Sequence, residues 1–272
     1  MKISIILAVY NESEYLEKCL QSLISQEKVD FEIILVDDGS ETPVNKLKFA
    51  ILANPKIKIF RLEHKGPALA RNFGATKASG EILVFLDGDM SFEKTFLANL
   101  IEPIKLKKTK GTYSSMEYVA NWDNVWARCW NFEQGLKGKL RINNKNNMIK
   151  DFRAILKTEF ELVKGFENTG YTDTWTLFDK LKYLPYETKA VYYHYNPSNL
   201  TEVYHQSKWI GGRQRKFGNF GKIIVLLRSS FPISIIIGIY KGLTLKQWQY
   251  LPFKLVYDWG TVSGVLTNAL KK

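Results

Sequence analysis

The 272-residue sequence lacks several features that would point directly to a compartment or a cofactor. It has two cysteines, Cys19 and Cys129, too few for a disulfide framework, so buried reduced thiols are expected. The N-terminus passes from one lysine into an apolar strand and then straight to polar residues. With no h-region and no small-residue cleavage site, no signal peptide is expected. There is no internal repeat and no low-complexity segment. No G-x-G-x-x-G follows the first apolar strand, and no Walker Gly-Lys-Thr/Ser occurs, so the dinucleotide and P-loop readings lack their phosphate cradles. Acid is also nearly absent from one end. From His205 to Lys272 there are eleven Lys/Arg and a single acid, Asp258, while the first 204 residues carry only +2 of the net +12.

Basicity confined to one end argues for a local anionic partner rather than for general solubility. A nucleic-acid arm would not need the aliphatic run between Ile223 and Tyr240, so no nucleic-acid partner is expected. An anionic membrane surface fits better. Arg228 in mid-run would cost roughly 2.5–3.5 kcal/mol in a bilayer, and Pro232 interrupts the pattern. The expectation is therefore a helix pair lying in the interface rather than a span.

The N-terminal part alternates strands and helices. Strands are expected at 3–9, 31–36, 57–62 and 82–86. Helices are expected from Asn11-Glu12-Ser13-Glu14 (Ser13 as cap), around Pro43–Leu52, and from Gly66-Pro67 to Gly80. This order implies right-handed βαβ units and a mainly parallel sheet. Trp122, Trp126 and Trp130 fall at i, i+4 and i+8, which predicts one helix face. Lys137–Lys150 reads as a flexible polar loop, and a helix is expected at 174–181.

Ligands of an open parallel sheet bind beyond the carboxyl ends of its strands. Three such ends are polar here: Tyr10-Asn11-Glu12, Asp37-Asp38 and Asp87-Gly88-Asp89. The last is the sharpest signal, since aspartates on alternate positions can converge on a divalent cation while Gly88 admits a phosphate. Acids facing a diphosphate repel it unless such an ion bridges them.

In order and spacing, Ala8-Val9-Tyr10-Asn11-Glu12, Val36-Asp37-Asp38-Gly39-Ser40, Gly66-Pro67-Ala68-Leu69-Ala70-Arg71-Asn72-Phe73-Gly74 and Leu86-Asp87-Gly88-Asp89 resemble the successive signatures of family 2 glycosyltransferases. The resemblance covers roughly residues 1–205. It implies an α/β GT-A (Rossmann-like) fold, a mainly parallel sheet flanked by helices. It also implies a UDP- or GDP-sugar donor and a divalent cation, Mn²⁺ or Mg²⁺. By position, Tyr10 would lie against the base with Ala8 and Val9 also on the nucleotide-donor side, Glu12 would sit near the ribose, and Asp38 would accept from the base edge. Arg71 would face the diphosphate or hold the acidic site, and Asp87 and Gly88 would meet ribose or sugar. Asp89 would be the main metal ligand, joined by Asp87 and by His194, which lies where related enzymes often carry a histidine.

Phe152-Arg153 through Gly165-Phe166 resembles the acceptor segment, and Gly170-Tyr171-Thr172-Asp173-Thr174-Trp175 resembles the acidic pair that supplies the base. Arg153, Thr172 and Trp175 would thus face the acceptor. Thr172 replaces the usual Glu, leaving Asp173 as the base of an inverting transfer. Gln206-Ser207-Lys208-Trp209 departs from the Q-x-x-R-W of processive members, which favours single-sugar addition. The expected organisation is a glycosyltransferase domain over 1–204 and a basic, helical, membrane-associating segment over 205–272. The enzyme would sit on the cytoplasmic face of the cell membrane with a lipid-linked or glycan acceptor. A nucleotidyltransferase, or a silent nucleotide-sugar-binding scaffold, is the alternative reading.

Overall fold

The computed structural model describes residues 1–142, 149–169, 173–213 and 218–270. In chain order it contains β1 (Ile3–Val9), α1 (Ser13–Ile24), β2 (Phe31–Asp37), β3 (Ile57–Arg61), α2 (Pro67–Lys77), β4 (Ile82–Asp87) and β5 (Met90–Phe92). Then come α3 (Phe96–Lys105), β6 (Gly111–Ser114), β7 (Glu117–Val119), α4 (Val125–Glu133), β8 (Ala154–Leu156), α5 (Lys157–Leu162), α6 (Thr176–Leu181), β9 (Tyr186–Thr188) and β10 (Tyr192–His194). Four helices close the chain: α7 (Leu200–Gly211), α8 (Gly218–Arg228), α9 (Phe231–Thr244) and α10 (Tyr250–Leu270).

Two compact units emerge, Met1–Ala120 with Leu140–His194, and Asn121–Lys139 with Tyr195–Lys272. The first holds a seven-stranded sheet in the order β3-β2-β1-β4-β8-β6-β9. Its β3-β2-β1-β4 half is parallel, and β8 runs antiparallel to both β4 and β6. Strands buried on both faces serve two layers at once. Ile3, Ile5, Leu7 and Val9 of β1 join the layer of α1 and α3, while Ile6 and Ala8 join the layer that includes α2, α5 and α6. The predicted mainly parallel α/β sheet with flanking helices is what the chain forms.

Several local expectations change. Residues 43–52 do not form an α-helix. They make two 3₁₀ turns, Val44–Lys46 and Ala50–Ala53, parted by extended backbone at Leu47 and Phe49. The break lets Val44, Leu47, Phe49, Ile51 and Leu52 all reach one core layer, which a single short helix face could not do. Glu12, not Ser13, occupies the cap position of α1, and its carboxylate turns away to Gly88. Trp122 precedes α4, whose N-cap is Asn124, so only Trp126 and Trp130 lie on that helix. The helix expected at 174–181 is a 3₁₀ turn at Asp173–Trp175 followed by α6. Residues 143–148 of the expected loop and residues 170–172 lie outside the described residues.

The second unit is helical. Cys129 and Trp130 of α4 pack with Val203 of α7 and with Tyr250 and Phe253 of α10. Glycines let α7 and α10 touch backbone to backbone: a Cβ on Gly260 would strike Ser207 Oγ, and one on Gly264 would strike Lys208 O. The expected division at 204/205 therefore falls inside α7, and residues 121–139 belong with the C-terminal helices because α4 supplies part of their core. Both thiols are buried and unpaired as expected.

Candidate active site

Within the first unit, β1, β2 and β4 end side by side, and their register sets Val9 beside Asp37 and Ala8 beside Asp87. Asn11 follows with φ 57°, a left-handed turn that Asn tolerates. It ties the β1 end to the next loop: its N–H donates to Ser40 Oγ (3.0 Å), and its Oδ1 accepts from Glu41 N (2.9 Å). Tyr10 stays 42% exposed and stacks on His64, with ring centroids 4.0 Å apart.

The paired acids of β2 divide their work. Asp37 accepts from Ser40 N, Val44 N and Arg61, and so holds the turn. Asp38 accepts from Lys65 N (3.1 Å) and Gly66 N (3.0 Å), and His64 Nδ1 lies 3.0 Å from it. The Asp38 carboxylate thus shapes the loop that starts α2.

Asp87, the last residue of β4, is gripped from two sides. Arg71 of α2 reaches its Oδ1 at 2.6 Å and Arg153 its Oδ2 at 3.5 Å. Burial would raise its carboxyl, but Arg71, Arg153 and His194 bring it down to about 2. Arg153, expected on the acceptor side, therefore belongs to the acidic cluster, because β8 pairs antiparallel with β4 and delivers it there. Gly88 donates its N–H to Glu12 Oε2 at 3.0 Å, and a Cβ there would collide with that oxygen and come within 2.8 Å of Val9 Cγ1. Burial, then the charges of Asp89 and Asp87, push the Glu12 carboxyl well above its usual range.

The three-stranded sheet β5-β10-β7 completes the site. It pairs Met90 with His194 and Tyr192 with Glu117. His194 Nε2 lies 3.0 Å from Asp89 Oδ2, and its Nδ1 lies 2.9 Å from Glu117 Oε1. Glu117 is held further by Arg141 at 3.0 Å and by the Tyr192 hydroxyl at 2.9 Å. Burial opposes its charge, yet Arg141 and His194 keep its carboxyl well below the usual range. Glu117, Arg141 and Tyr192 were not singled out from sequence. Glu117 and Tyr192 sit in strands of only three residues without apolar-polar alternation, and Arg141 lies outside both, so nothing in the sequence signals their pairing.

Asp89 Oδ1 is buried without a hydrogen-bond partner. A bare carboxylate oxygen beside an imidazole fixed through its far nitrogen suits a hard divalent cation. Among the described residues, no group of three or more His, Cys, Asp or Glu is arranged to hold a metal. Asp89 and His194 would hold such an ion together with phosphate oxygens of a ligand, the usual manner of Mg²⁺. Trp175 is half exposed on the Asp173–Trp175 turn. Asp173 opens the same turn, and Thr172 lies outside the described residues. Beside the β1 end, a pocket of about 260 Å³ is lined by residues including Val9, Asn11, Glu12, Ser40 and Thr42.

A family model described as "Glycosyl transferase family 2" matches residues 4–167. The chain is 26% identical over 269 residues to the poly-beta-1,6-N-acetyl-D-glucosamine synthase of Staphylococcus epidermidis, covering 92% of this chain and 63% of that one. It spans between 13% and 63% of the length of eight curated relatives it matches. Among solved structures, residues 1–349 of S. aureus TarS in complex with UDP-GlcNAc superpose with a TM-score of 0.57 at 15% identity, covering 99% of this chain and 92% of that one. The mannosyltransferase PcManGT of Pyrobaculum calidifontis, in complex with GDP-Man and Mn²⁺, gives 0.59 at 14% identity, covering 99% and 87%.

Proposed function

The chain belongs to glycosyl transferase family 2 with a GT-A fold, and from that premise we propose that it moves a single sugar, with inversion, from a UDP- or GDP-sugar to an acceptor hydroxyl. The observation that carries the reading is the unpartnered Asp89 Oδ1 beside a His194 oriented by Glu117. A divalent cation bound there would neutralise the diphosphate leaving group. Arg71 and Arg153 hold Asp87 ionised and aimed at the β4 end, where it can accept from sugar or ribose hydroxyls. Gly88 keeps the approach to the β4 end open, and Tyr10 offers an exposed ring on which a base can stack.

Asp173 takes the acceptor proton in this reading, which rests on its position in the motif and on the turn that carries it. The acceptor is lipid-linked or a membrane glycan at the cytoplasmic face, a reading supported by the basic, apolar C-terminal helices. That nucleotide diphosphates are bound by TarS and PcManGT supports the donor class and leaves the base open between uracil and guanine.

The test is calorimetry and donor hydrolysis with a panel of UDP- and GDP-sugars in Mn²⁺ or Mg²⁺. Asp89→Asn should abolish metal-dependent donor binding; unchanged affinity would end the metal assignment. Asp173→Asn should keep donor affinity while slowing transfer by roughly 10²–10⁴. A near-parent transfer rate would move the base elsewhere.

A further inference from the structure

Helix α9 is built inside out for a protein in water. Its buried residues are Ser234, Gly238 and Gly242, one every turn, while Phe231, Ile236, Tyr240 and Leu243 face outward, each at least 54% exposed. Gly238 lies so close to Leu251 of α10 that a Cβ would come within 2.7 Å of its Cδ1. A water-facing amphipathic helix does the reverse and buries its large side chains. Small residues inward and large apolar ones outward is the packing of helices in lipid. Helix α8 has no buried residue, and Phe220, Ile223 and Leu227 form its exposed stripe at i, i+3 and i+7.

The charge on these helices has one sign. The single acid after residue 204, Asp258, is 3% exposed, paired within the fold with Lys254 Nζ at 3.0 Å, and accepts a hydrogen bond from Ser234 Oγ at 2.6 Å. Outward charge therefore comes from bases: Arg228 at the end of α8 and Lys246 just beyond α9 are both exposed, and Lys222 is partly so. Trp248 follows Lys246 and is 65% exposed, an aromatic suited to a headgroup layer.

We propose that the outward faces of α8 and α9 are a membrane-docking surface that lies within the headgroup layer of an anionic bilayer without crossing it. The purpose of this surface rests on the lipid-side acceptor reading above, while its substance rests on the helices alone. Eleven and fourteen residues give helices of about 17 and 21 Å, short of a hydrocarbon core of about 30 Å. Together the two helices are long and apolar enough to cross, but they are bent by 60° at Ser229-Ser230, and among the described residues no single helix is long and apolar enough to do so. A second copy of the chain is the poorer occupant, because a two-fold contact would set the same unneutralised bases against each other.

The test is flotation of the full chain with phosphatidylcholine vesicles, with and without a minority of phosphatidylglycerol. The chain should float with the anionic vesicles at low salt, weaken as salt rises, and be released by alkaline carbonate. Ile236→Ser with Leu243→Ser should reduce partitioning about ten- to hundredfold, while leaving circular dichroism and the unfolding temperature near those of the parent. Arg228→Gln and Lys246→Gln should each cost about fivefold on anionic vesicles and little on neutral ones. No flotation, parent-like flotation of the serine variant, or resistance to carbonate would overturn the proposal. So would a lipid-independent dimer that the serine changes dissolve. Flotation is read without donor and calorimetry without lipid, so failure here leaves the donor assignment standing, and the converse holds.

Discussion

At the residue scale, Gly88 is the least replaceable position among the site residues. Its N–H holds Glu12, and the space where a Cβ would stand is already taken by Glu12 Oε2 and Val9 Cγ1. Gly88→Ala should therefore displace both strand ends at once. The expected cost is about 1–3 kcal/mol of stability, with donor affinity falling more than the stability loss explains. Thermal unfolding and calorimetry on one preparation separate the two effects. Parent-like values in both would show that the β4 end has room the geometry denies. Asp38 teaches the complementary point: a motif aspartate can be recognised from sequence while its hydrogen bonds go to Lys65 and Gly66 of a loop.

At the element scale, Glu32 clamps the opposite end of the sheet. Its carboxylate accepts from Ser4 Oγ (2.7 Å) on β1, Ser79 N (2.7 Å) before β4 and Lys58 Nζ (2.8 Å) on β3. Burial opposes the charge, but these donors lower the carboxyl from 4.5 to about 2. A group depressed on folding stabilises above its unfolded value and loses that contribution as pH falls through the folded one. The contribution should be whole above pH 4.5 and vanish toward pH 2. Its size is about 1–3 kcal/mol, reduced because Lys58 is half exposed. Urea unfolding of parent and Glu32→Gln across that range should converge at acid pH; a constant gap would deny the linkage.

At the scale of the whole molecule, the C-terminal helices are core as well as surface. Ending the chain at Tyr204 cuts α7 and removes Tyr250 and Phe253 from Cys129, Trp130 and Val203. Glu133 would also lose three donors, the ammonium groups of Lys241 and Lys254 and the hydroxyl of Tyr250. On composition alone that truncation becomes more soluble, provided the tail does not also complete the core. The shared core predicts aggregation instead, measurable by size exclusion and by loss of a cooperative unfolding transition.

Residues 1–92 show how much of this was legible in the chain. Continuous apolar strands, each ending in polar residues, determine a parallel sheet buried on both faces, because only such strands tolerate apolar side chains on alternate sides. The same order places Tyr10, Asp38, Asp87 and Asp89 at one edge. The structure alone decided what completes that edge. His194 meets Asp89 across 105 positions and Glu117 across 77. Arg153 arrives through an antiparallel strand of three residues. Strands so short carry almost no periodicity, and their partners are chosen by tertiary pairing rather than by neighbours in sequence. The helical end divides the same way. Its charge and apolar content are composition, but which face of α9 is buried follows from Ser234 and Gly238 fitting against α10 and Gly242 against the turn before it, a steric choice made only when the helices pack.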